Sequence, residues 1–356
     1  MFKRRTTLII GAGCSAEYKL PIGDGLKDHI ADELGRMGRQ DRNNGFVVIS
    51  SRGSDEVLLN AVVQAGQRRR ARDWHVIANG MAPGIRHASS IDRYLHLHRD
   101  NEAIVTIGKV AIARSILAAE QDSHLGRDSI DLPGIKNALG GQPHWLQQLV
   151  FRLQEDVSLE SMMSMFSNMT IITFNYDRII EHYLFHAVQD LGGFDPQTAA
   201  QIMTGLKIIH PYGKIGRLPW QKEPGDALPF GHWENLHWET VIQAGERLRT
   251  FTETIEEDDL IDAIKGAVNH AEQIVFMGFS FLPQNLDLMG AESESSASSI
   301  WATSYMESES NVRAASKLIK KMLRGKARAQ PGDFEVQWVP LKAGEYLRNF
   351  GNELAS

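Results

Sequence analysis

The feature that most constrains the fold is a short apolar strand that runs directly into a glycine-rich turn. Thr6 to Ile10 (TTLII) is a β-branched and leucine run that stops at Gly11, as a buried parallel strand does where it enters a turn. Gly11 to Ala16 (GAGCSA) match G-x-G-x-x-G/A, a turn that brings backbone amides close to a pyrophosphate. Alone this is a weak signal, but it favours a nucleotide-binding α/β fold.

Further short apolar runs recur along the chain, separated by helical patterns. They are Met169 to Phe174, Leu206 to Ile209, Gln273 to Met277, Ile300 to Thr303 and Phe334 to Val339. One helical stripe joins Ile255, Ile261, Ile264, Val268 and Ala271. Because strands that alternate with helices favour a parallel sheet, we predict an α/β protein with a Rossmann-like, mostly parallel sheet of six strands flanked by helices.

The long interval after the first strand has a different pattern. It is mostly helical, for example over Ala103 to Glu120 and Trp145 to Gln154. We therefore predict a core of residues 1–36 and 169–356, with 37–168 as a mainly helical insertion between strands one and two that packs over the nucleotide site.

The residues after the glycine turn argue against an ordinary dinucleotide-dependent oxidoreductase. In that fold one unbroken helix would follow, and Phe46 to Ser50 with Arg52 would supply a second strand and a phosphate-binding side chain. Pro21 and Gly23 would break such a helix. We expect the first helix to end early, a loop over Tyr18 to Gly23 above the nucleotide site, and a new helix capped by Asp24.

Polar residues follow three later strands of the predicted sheet. These segments are Thr173 to Asp177 (TFNYD), Ile209 to Gly213 (IHPYG) and Gly278 to Ser280 (GFS). Ligands of open α/β sheets bind at the carboxyl ends of the strands. The three segments are therefore expected to meet at one site.

Together and in this order, GAGCSAEYKLPIG, TFNYD, IHPYG and MGFSF resemble the sirtuin-like family of prokaryotic NAD hydrolases. The resemblance covers most of the chain. It implies that NAD is the substrate, cut to nicotinamide and ADP-ribose, and that the role is NAD depletion in antiphage defence. It also implies a homo-oligomer, or a companion such as a ring-shaped translocase ATPase.

The resemblance also implies roles for single residues. The diphosphate would be held by Gly11, Ala12, Gly13 and Ser15, with Asp24 beside them; Asn175 and Asp177 would stand near the nicotinamide ribose, and Gly278 and Ser280 near the adenosine half. His210 would be the catalytic base, with Asn175 orienting the water. These types suit the chemistry, because glycosidic cleavage needs a polarised water or hydroxyl rather than a strong nucleophile.

Two departures from protein-deacetylating sirtuins limit this assignment. Those enzymes hold zinc with two cysteine pairs, whereas this chain has only Cys14, so deacetylation is disfavoured. They also place histidine directly before glycine, where this chain has Tyr212 before Gly213. Tyr212 is thus the alternative to His210 as base. Two other functions stay open: a non-catalytic NAD or ADP-ribose-binding regulatory subunit, and a Rossmann oxidoreductase.

Composition narrows the remaining classes. A formal charge of −6 gives no general attraction to nucleic acid, and no apolar run approaches the roughly 18 residues of a membrane span. A single cysteine favours a reducing compartment, which we take to be the cytoplasm, and we expect Cys14 to be a small filler residue.

Other candidate ligands have simpler interpretations. His232, Glu234, His237 and Glu239 resemble metal ligands, but interleaved tryptophans favour a packed aromatic loop, so no metal is expected. Ser90 is expected to cap a helix, with Asp92 a minor site candidate. The basic residues of a late helix favour a solvated face, with partner docking as the alternative: Lys317, Lys320, Lys321, Arg324, Lys326 and Arg328.

Overall fold

The computed structural model describes residues 2–41, 45–50, 55–69, 73–125, 129–221, 227–231, 236–290, 295–324 and 335–355, with only the backbone for 38–41 and 45–50. The strands are β1 Thr6–Ile10, β2 Met37–Asp41, β3 Gly45–Ser50, β4 Met169–Thr173, β5 Lys207–Ile209, β6 Gln273–Met277, β7 Ser299–Thr303 and β8 Val336–Val339. The helices are α1 Ala12–Ala16, α2 Gly23–Gly35, α3 Glu56–Arg68, α4 Trp74–His87, α5 Ile91–Leu97, α6 Glu102–Asp122, α7 Leu132–Ala138, α8 Trp145–Leu153, α9 Ile179–Gly192, α10 Pro196–Met203, α11 Trp238–Glu246, α12 Phe251–Ile255, α13 Asp258–Asn269, α14 Pro283–Leu288, α15 Glu309–Arg324 and α16 Ala343–Ala355; a 3₁₀ helix spans Leu159–Ser164.

Six strands form one parallel sheet, which confirms the predicted fold class. Their order is β5-β4-β1-β6-β7-β8, so β1 lies inside the sheet with β4 and β6 on either side. Every residue of β1 and of β6 is buried. Strands covered on both faces need continuous apolar runs, which explains why these two were so clear in the sequence.

The register of the sheet brings three strand ends level. Ile10 pairs with Thr173 of β4 on one side and with Met277 of β6 on the other. The residues that follow these strands therefore leave the sheet along one edge, its carboxyl edge.

Helices cover both faces of the sheet. Leu8 and Ile10 belong to one buried cluster, which includes residues of α8, α9, α10 and α16. Ile9 points the other way, into a cluster with α13, α14 and α15. A third cluster joins α2–α6 and α11, and it meets the carboxyl edge through Tyr176 and Tyr212.

The interval between β1 and β4 is not purely helical, because β2 and β3 form an antiparallel hairpin. Phe46 to Ser50 lie in that hairpin and not in the main sheet, so the alternative that made them a second Rossmann strand is wrong. Arg52 lies outside the described residues. Helix α2 packs on α4, whereas α8 packs on α16 and α9. The domain boundaries near 36 and 168 stay a prediction.

The early end of the first helix is confirmed, but the predicted cap of the next is wrong. Helix α1 has only five residues, and α2 begins at Gly23 with Ile22 in the capping position. Asp24 is its second residue and makes no capping hydrogen bond. Helix α1 ends at Ala16 and the backbone turns at Lys19, which has a φ of 70°, before Pro21 is reached. The extended capping position falls at Ile22, two residues before Asp24.

The stripe predicted over Ile255 to Ala271 is also two helices rather than one. Thr250 and Glu253 form a reciprocal capping box that starts α12 as a separate short helix, and α13 begins at Asp258. Ile255 is accordingly half exposed, and Ala271 follows the end of α13. In the described part of the chain, no helix combines the length and the apolar character that crossing a bilayer requires.

Candidate functional site

The glycines after β1 allow two stretches of backbone to cross. A Cβ added to Gly11 would lie 2.4 Å from the carbonyl oxygen of Gly278, and one added to Gly278 would lie 2.4 Å from the amide nitrogen of Cys14. Gly278 also has a φ of 56°, which favours glycine. The glycine pattern is thus required by packing between the ends of β1 and β6.

This crossing uses two of the amides that the sequence assigned to a diphosphate. The amide of Gly11 donates to the carbonyl of Met277 at 3.0 Å, and that of Gly13 donates to the carbonyl of Gly278 at 2.9 Å. Among the described residues, the Ala12 amide donates no comparable bond. The turn therefore offers fewer amides to a ligand than its sequence pattern suggests.

A cavity of about 550 Å³ lies at the carboxyl edge of the sheet. Its lining includes most of the predicted binding residues: Gly11, Ala12, Gly13, Asp24, Asn175, Gly278 and Ser280. It also includes residues that the sequence ranked lower or missed: Ser90, Asp92, Phe174, Tyr212, Asn285, Thr303 and Lys342. We call this space the first cavity. Ser15, Asp177 and His210 are not in its lining.

Asn175 lies in the cavity wall and is held by its side-chain nitrogen. Nδ2 donates to the carbonyl of Gly11 at 3.1 Å and to Oγ of Ser15 at 2.8 Å. Both amide hydrogens are thereby used, and within the described residues Oδ1 accepts no hydrogen bond. Asn175 does not cap the following helix, because Arg178 occupies that position. An oriented amide oxygen is thus left for a ligand.

Ser15 and Asp177 lie behind Asn175 and fix its orientation. The Ser15 hydroxyl donates to Oδ2 of Asp177 at 2.7 Å, and Oδ1 of Asp177 accepts from the Ile179 amide at 3.3 Å. Burial, reinforced by the nearby Glu120 charge, raises the pKa of Asp177 to about 7 despite the Ser15 hydrogen bond. The structure places both residues in a supporting layer and not against the cavity.

His210 lies on the other side of Asn175, with both ring nitrogens bonded. Nδ1 lies 3.1 Å from the main-chain carbonyl oxygen of Asn175, and Nε2 lies 3.0 Å from Oε1 of Glu181. Lys214 places its ammonium 2.5 Å from the same carboxylate oxygen. Both ring nitrogens therefore face acceptors of the protein, and His210 is not in the lining of the first cavity.

The cavity wall carries a partly buried carboxylate at Asp92. Ser90 caps α5, as predicted, by accepting from the Arg93 amide at 3.0 Å, which places Asp92 in the first turn. The Tyr176 hydroxyl donates to Oδ1 of Asp92. Burial raises the pKa of Asp92 above its usual value. A cap followed by an acidic residue is common, so the sequence could rank Asp92 only as a minor candidate.

Tyr212, the alternative base, does line the cavity. Its hydroxyl donates to Oδ1 of Asn285 at 2.6 Å, and burial raises its pKa well above the usual value. It therefore stays a neutral donor in the physiological range.

The other sequence candidates lie elsewhere. Cys14 is fully buried, and burial raises the pKa of its thiol, as suits a filler residue. His237 caps α11, while His232 and Glu234 lie outside the described residues. Over the described ranges no three His, Cys, Asp or Glu side chains cluster as metal ligands do.

The basic residues of α15 are exposed only in part: Lys320 is partly buried. Lys317 and Lys321 are exposed, and Lys321 pairs with Asp287 at 3.0 Å. Lys326 and Arg328 lie outside the described residues.

Comparison with known proteins gives matches only among solved structures. No protein-family model matches the chain, and no curated protein matches it. A Sir2 homologue in complex with NAD is 14% identical, with 99% of this chain and 90% of that chain covered and a TM-score of 0.38. A mutant Sir2 homologue in complex with 2′-O-acetyl ADP-ribose is also 14% identical, with 99% and 95% covered and a TM-score of 0.34.

Proposed function

We propose that this protein binds NAD in the first cavity and hydrolyses the bond between nicotinamide and ribose, which yields ADP-ribose and nicotinamide. The observation that carries the proposal is that Asn175 and Asp92 both line this cavity, which lies at the carboxyl edge of a parallel sheet. A cavity of about 550 Å³ is within the range of pockets for ligands of this size.

The donors and acceptors of the wall suit a dinucleotide. Ala12 and Lys342 line the cavity, and their amide and ammonium groups would meet the diphosphate, while Ser280 and Thr303 would meet the adenosine half. The nicotinamide ribose would then lie toward Asn175 and Asp92. Phe174, between Tyr212 and Phe279 in an aromatic cluster, would bound the ring end.

The proposed chemistry uses Asp92 and Asn175. Cleavage builds positive charge on the ribose, and a carboxylate in a partly desolvated wall stabilises that charge. Because burial raises its pKa, Asp92 is also better matched than an ordinary aspartate to take a proton from water. Oδ1 of Asn175 would accept a hydrogen bond from that water and orient it.

His210 is proposed here as a positioning residue rather than the base. It holds the main-chain carbonyl of Asn175 and lies outside the cavity lining. The loss of its ring would shift Asn175 without removing a proton acceptor from the wall.

Incubation of the purified chain with NAD, followed by chromatography of nicotinamide and ADP-ribose, tests the proposal. We expect both products in equal amounts, and a loss of about 10²-fold or more in rate for Asp92→Asn and for Asn175→Ala. Asp28→Asn is the control and should leave the rate unchanged, because Asp28 is an exposed carboxylate on α2 outside the cavity lining. His210→Gln should lower the rate without changing the pH at which activity is half maximal.

A non-catalytic NAD or ADP-ribose-binding subunit is the second candidate. Two observations favour it, because they concern the two residues that the sequence offered as the base. Both nitrogens of His210 are engaged by other protein groups, and burial raises the pKa of Tyr212 at the cavity wall. Tight NAD binding by calorimetry with no released nicotinamide would select this function. Absence of both binding and cleavage would reject the two together.

The biological setting stays a prediction from the sequence. The family resemblance implies NAD depletion in antiphage defence and assembly as a homo-oligomer or with a ring-shaped translocase ATPase, and the single cysteine favours a cytoplasmic location.

A further inference from the structure

A second cavity, of about 620 Å³, lies behind the edge strand β5. It is lined by residues of α9, α10, β5 and the segment after β5, and the described residues of its lining include none from the first cavity. Its walls combine apolar side chains with a few polar ones, as ligand pockets do.

Glu181 supplies a buried acceptor to this cavity. Its side chain is 1% exposed, and Oε1 accepts from both His210 and Lys214. Oε2 is buried and, within the described part of the chain, has no hydrogen-bond partner. An unpaired buried carboxylate oxygen is costly, so a donor is expected to reach it when the site is occupied.

Trp220 supplies a buried donor to the same cavity. Its indole Nε1 is buried and has no partner among the described residues. The ring stacks on Phe185, with centroids 4.8 Å apart and planes 3° apart, which holds it rigidly in the wall. Two residues of the cavity lining thus carry one unused acceptor and one unused donor, both buried.

The other lining residues indicate which shape and charge a ligand of this cavity would have. Met203, Leu206 and Ile208 add apolar surface beside Trp220, which suits a flat ring. The Glu181 carboxylate is already paired with the Lys214 ammonium, so the site does not require a further cation. A neutral, planar and polar molecule fits both conditions.

We propose that the second cavity binds a small planar heterocycle with an N–H donor beside a carbonyl acceptor, the chemistry shared by lactam nucleobases and aromatic amides. The N–H would donate to Oε2 of Glu181, and the carbonyl would accept from Nε1 of Trp220. Glu181 also contacts His210, which holds the carbonyl of Asn175, so an occupant here adjoins a hydrogen-bonded path to the first cavity.

Calorimetric titration of the full chain with uracil and with nicotinamide tests this site and distinguishes a nucleobase from an aromatic amide. We expect at least one to bind, and 1,3-dimethyluracil, which keeps the ring and carbonyls but lacks N–H, to bind at least about tenfold more weakly than uracil. Trp220→Phe, which removes the indole N–H and keeps an aromatic ring, should weaken binding about five- to tenfold. Glu181→Gln should weaken it further.

The control is Asp92→Asn in the first cavity, which should leave the binding of uracil unchanged. Failure of both probes to bind at millimolar concentration would overturn the proposal. So would binding that Asp92→Asn weakens and Trp220→Phe does not, because the ligand would then lie in the first cavity. The readout is binding and not turnover, so the result is independent of the proposed NAD hydrolysis.

Discussion

Asn175 is supported from two sides by buried carboxylates with opposite properties. Its side chain is hydrogen-bonded to Ser15, which in turn donates to Asp177. Its main-chain carbonyl contacts His210, which in turn contacts Glu181. Asp177 is 5% exposed and Glu181 is 1% exposed, so both carboxylates lose nearly all contact with water. Burial acts on both in the same direction.

The pKa values of Asp177 and Glu181 differ because the two carboxylates have different hydrogen-bonding and charged partners. Asp177 is bonded to a neutral hydroxyl and lies near the like charge of Glu120, so burial raises its pKa to about 7. For Glu181 burial alone would also raise the pKa, but the charges and hydrogen bonds of Lys214 and His210 lower it below its usual value. Asn175 is thus supported on one side by a carboxylate that titrates near neutrality, Asp177, and on the other by one that stays charged, Glu181.

The largest effect is expected from breaking the charged side. Glu181→Ala removes the only carboxylate that pairs with both His210 and Lys214 in the described structure, and should lower the free energy of unfolding by about 3–5 kcal/mol. Urea unfolding would measure the loss. Gln201→Ala is the control, since Gln201 is exposed in the same cavity wall and should change stability by no more than about 0.5 kcal/mol. If Glu181→Ala and Gln201→Ala lost the same amount of stability, Glu181 would not hold the charged side of Asn175 in place.

The second effect is a pH dependence from the other side. Asp177 has a folded pKa near 7 and a usual value of 3.8, so between these values the folded state holds a proton that the unfolded state has lost. The contribution of Asp177 to the free energy of unfolding is therefore fully present below about pH 4 and is lost as the pH rises through 7. The loss between pH 5 and pH 7 is roughly 2 kcal/mol.

Asp177→Asn should remove this part of the pH profile. The free energy of unfolding would be measured for the wild type and the variant from pH 5 to pH 8. As the pH rises, the wild type should lose stability relative to the variant, and the difference between them should become constant toward the acid end. Glu17→Gln is an independent comparison, because burial also raises the pKa of Glu17 to about 7. A difference between wild type and Asp177→Asn that does not vary with pH would show that Asp177 does not titrate in this window.

The smallest effect is expected at the link between Asn175 and Asp177. Ser15→Ala removes the acceptor for Nδ2 of Asn175 and the donor to Asp177, and should cost about 1–2 kcal/mol of stability. Denaturant midpoints would measure it, with Ser280→Ala, a change in the cavity wall, as the control. We also expect the pKa of Asp177 to rise further, so an unchanged pH profile would contradict the role assigned to Ser15.

Much of the fold was predictable because the buried strands are continuous apolar runs. Thr6–Ile10 and Gln273–Met277 were found with the same bounds that the structure shows. The hairpin of β2 and β3 lies inside the interval that the sequence predicts to be mainly helical, because the pattern around it is helical and a short strand pair adds little signal. The start of α2 was misplaced because Asp24 is a common capping residue and Ile22 is not.

The candidate site was predictable only in part. Strand ends identify which segments meet, so Asn175 and Gly278 were expected at one edge and are found there. Periodicity does not tell which side of a strand end faces a cavity. Hence His210 was expected in the wall and lies behind it, while Asp92 was ranked low and lies in the wall.

The sequence by itself determined the parallel α/β fold, the glycine turn and the set of polar strand ends, because these depend on local pattern and on the topology that such patterns permit. Only the tertiary structure decided what these residues do with their hydrogen bonds. The amides of Gly11 and Gly13 bond to the end of β6, and both nitrogens of His210 are used by Asn175 and Glu181. Such pairings join residues far apart in the chain, and their geometry is set by packing rather than by local sequence.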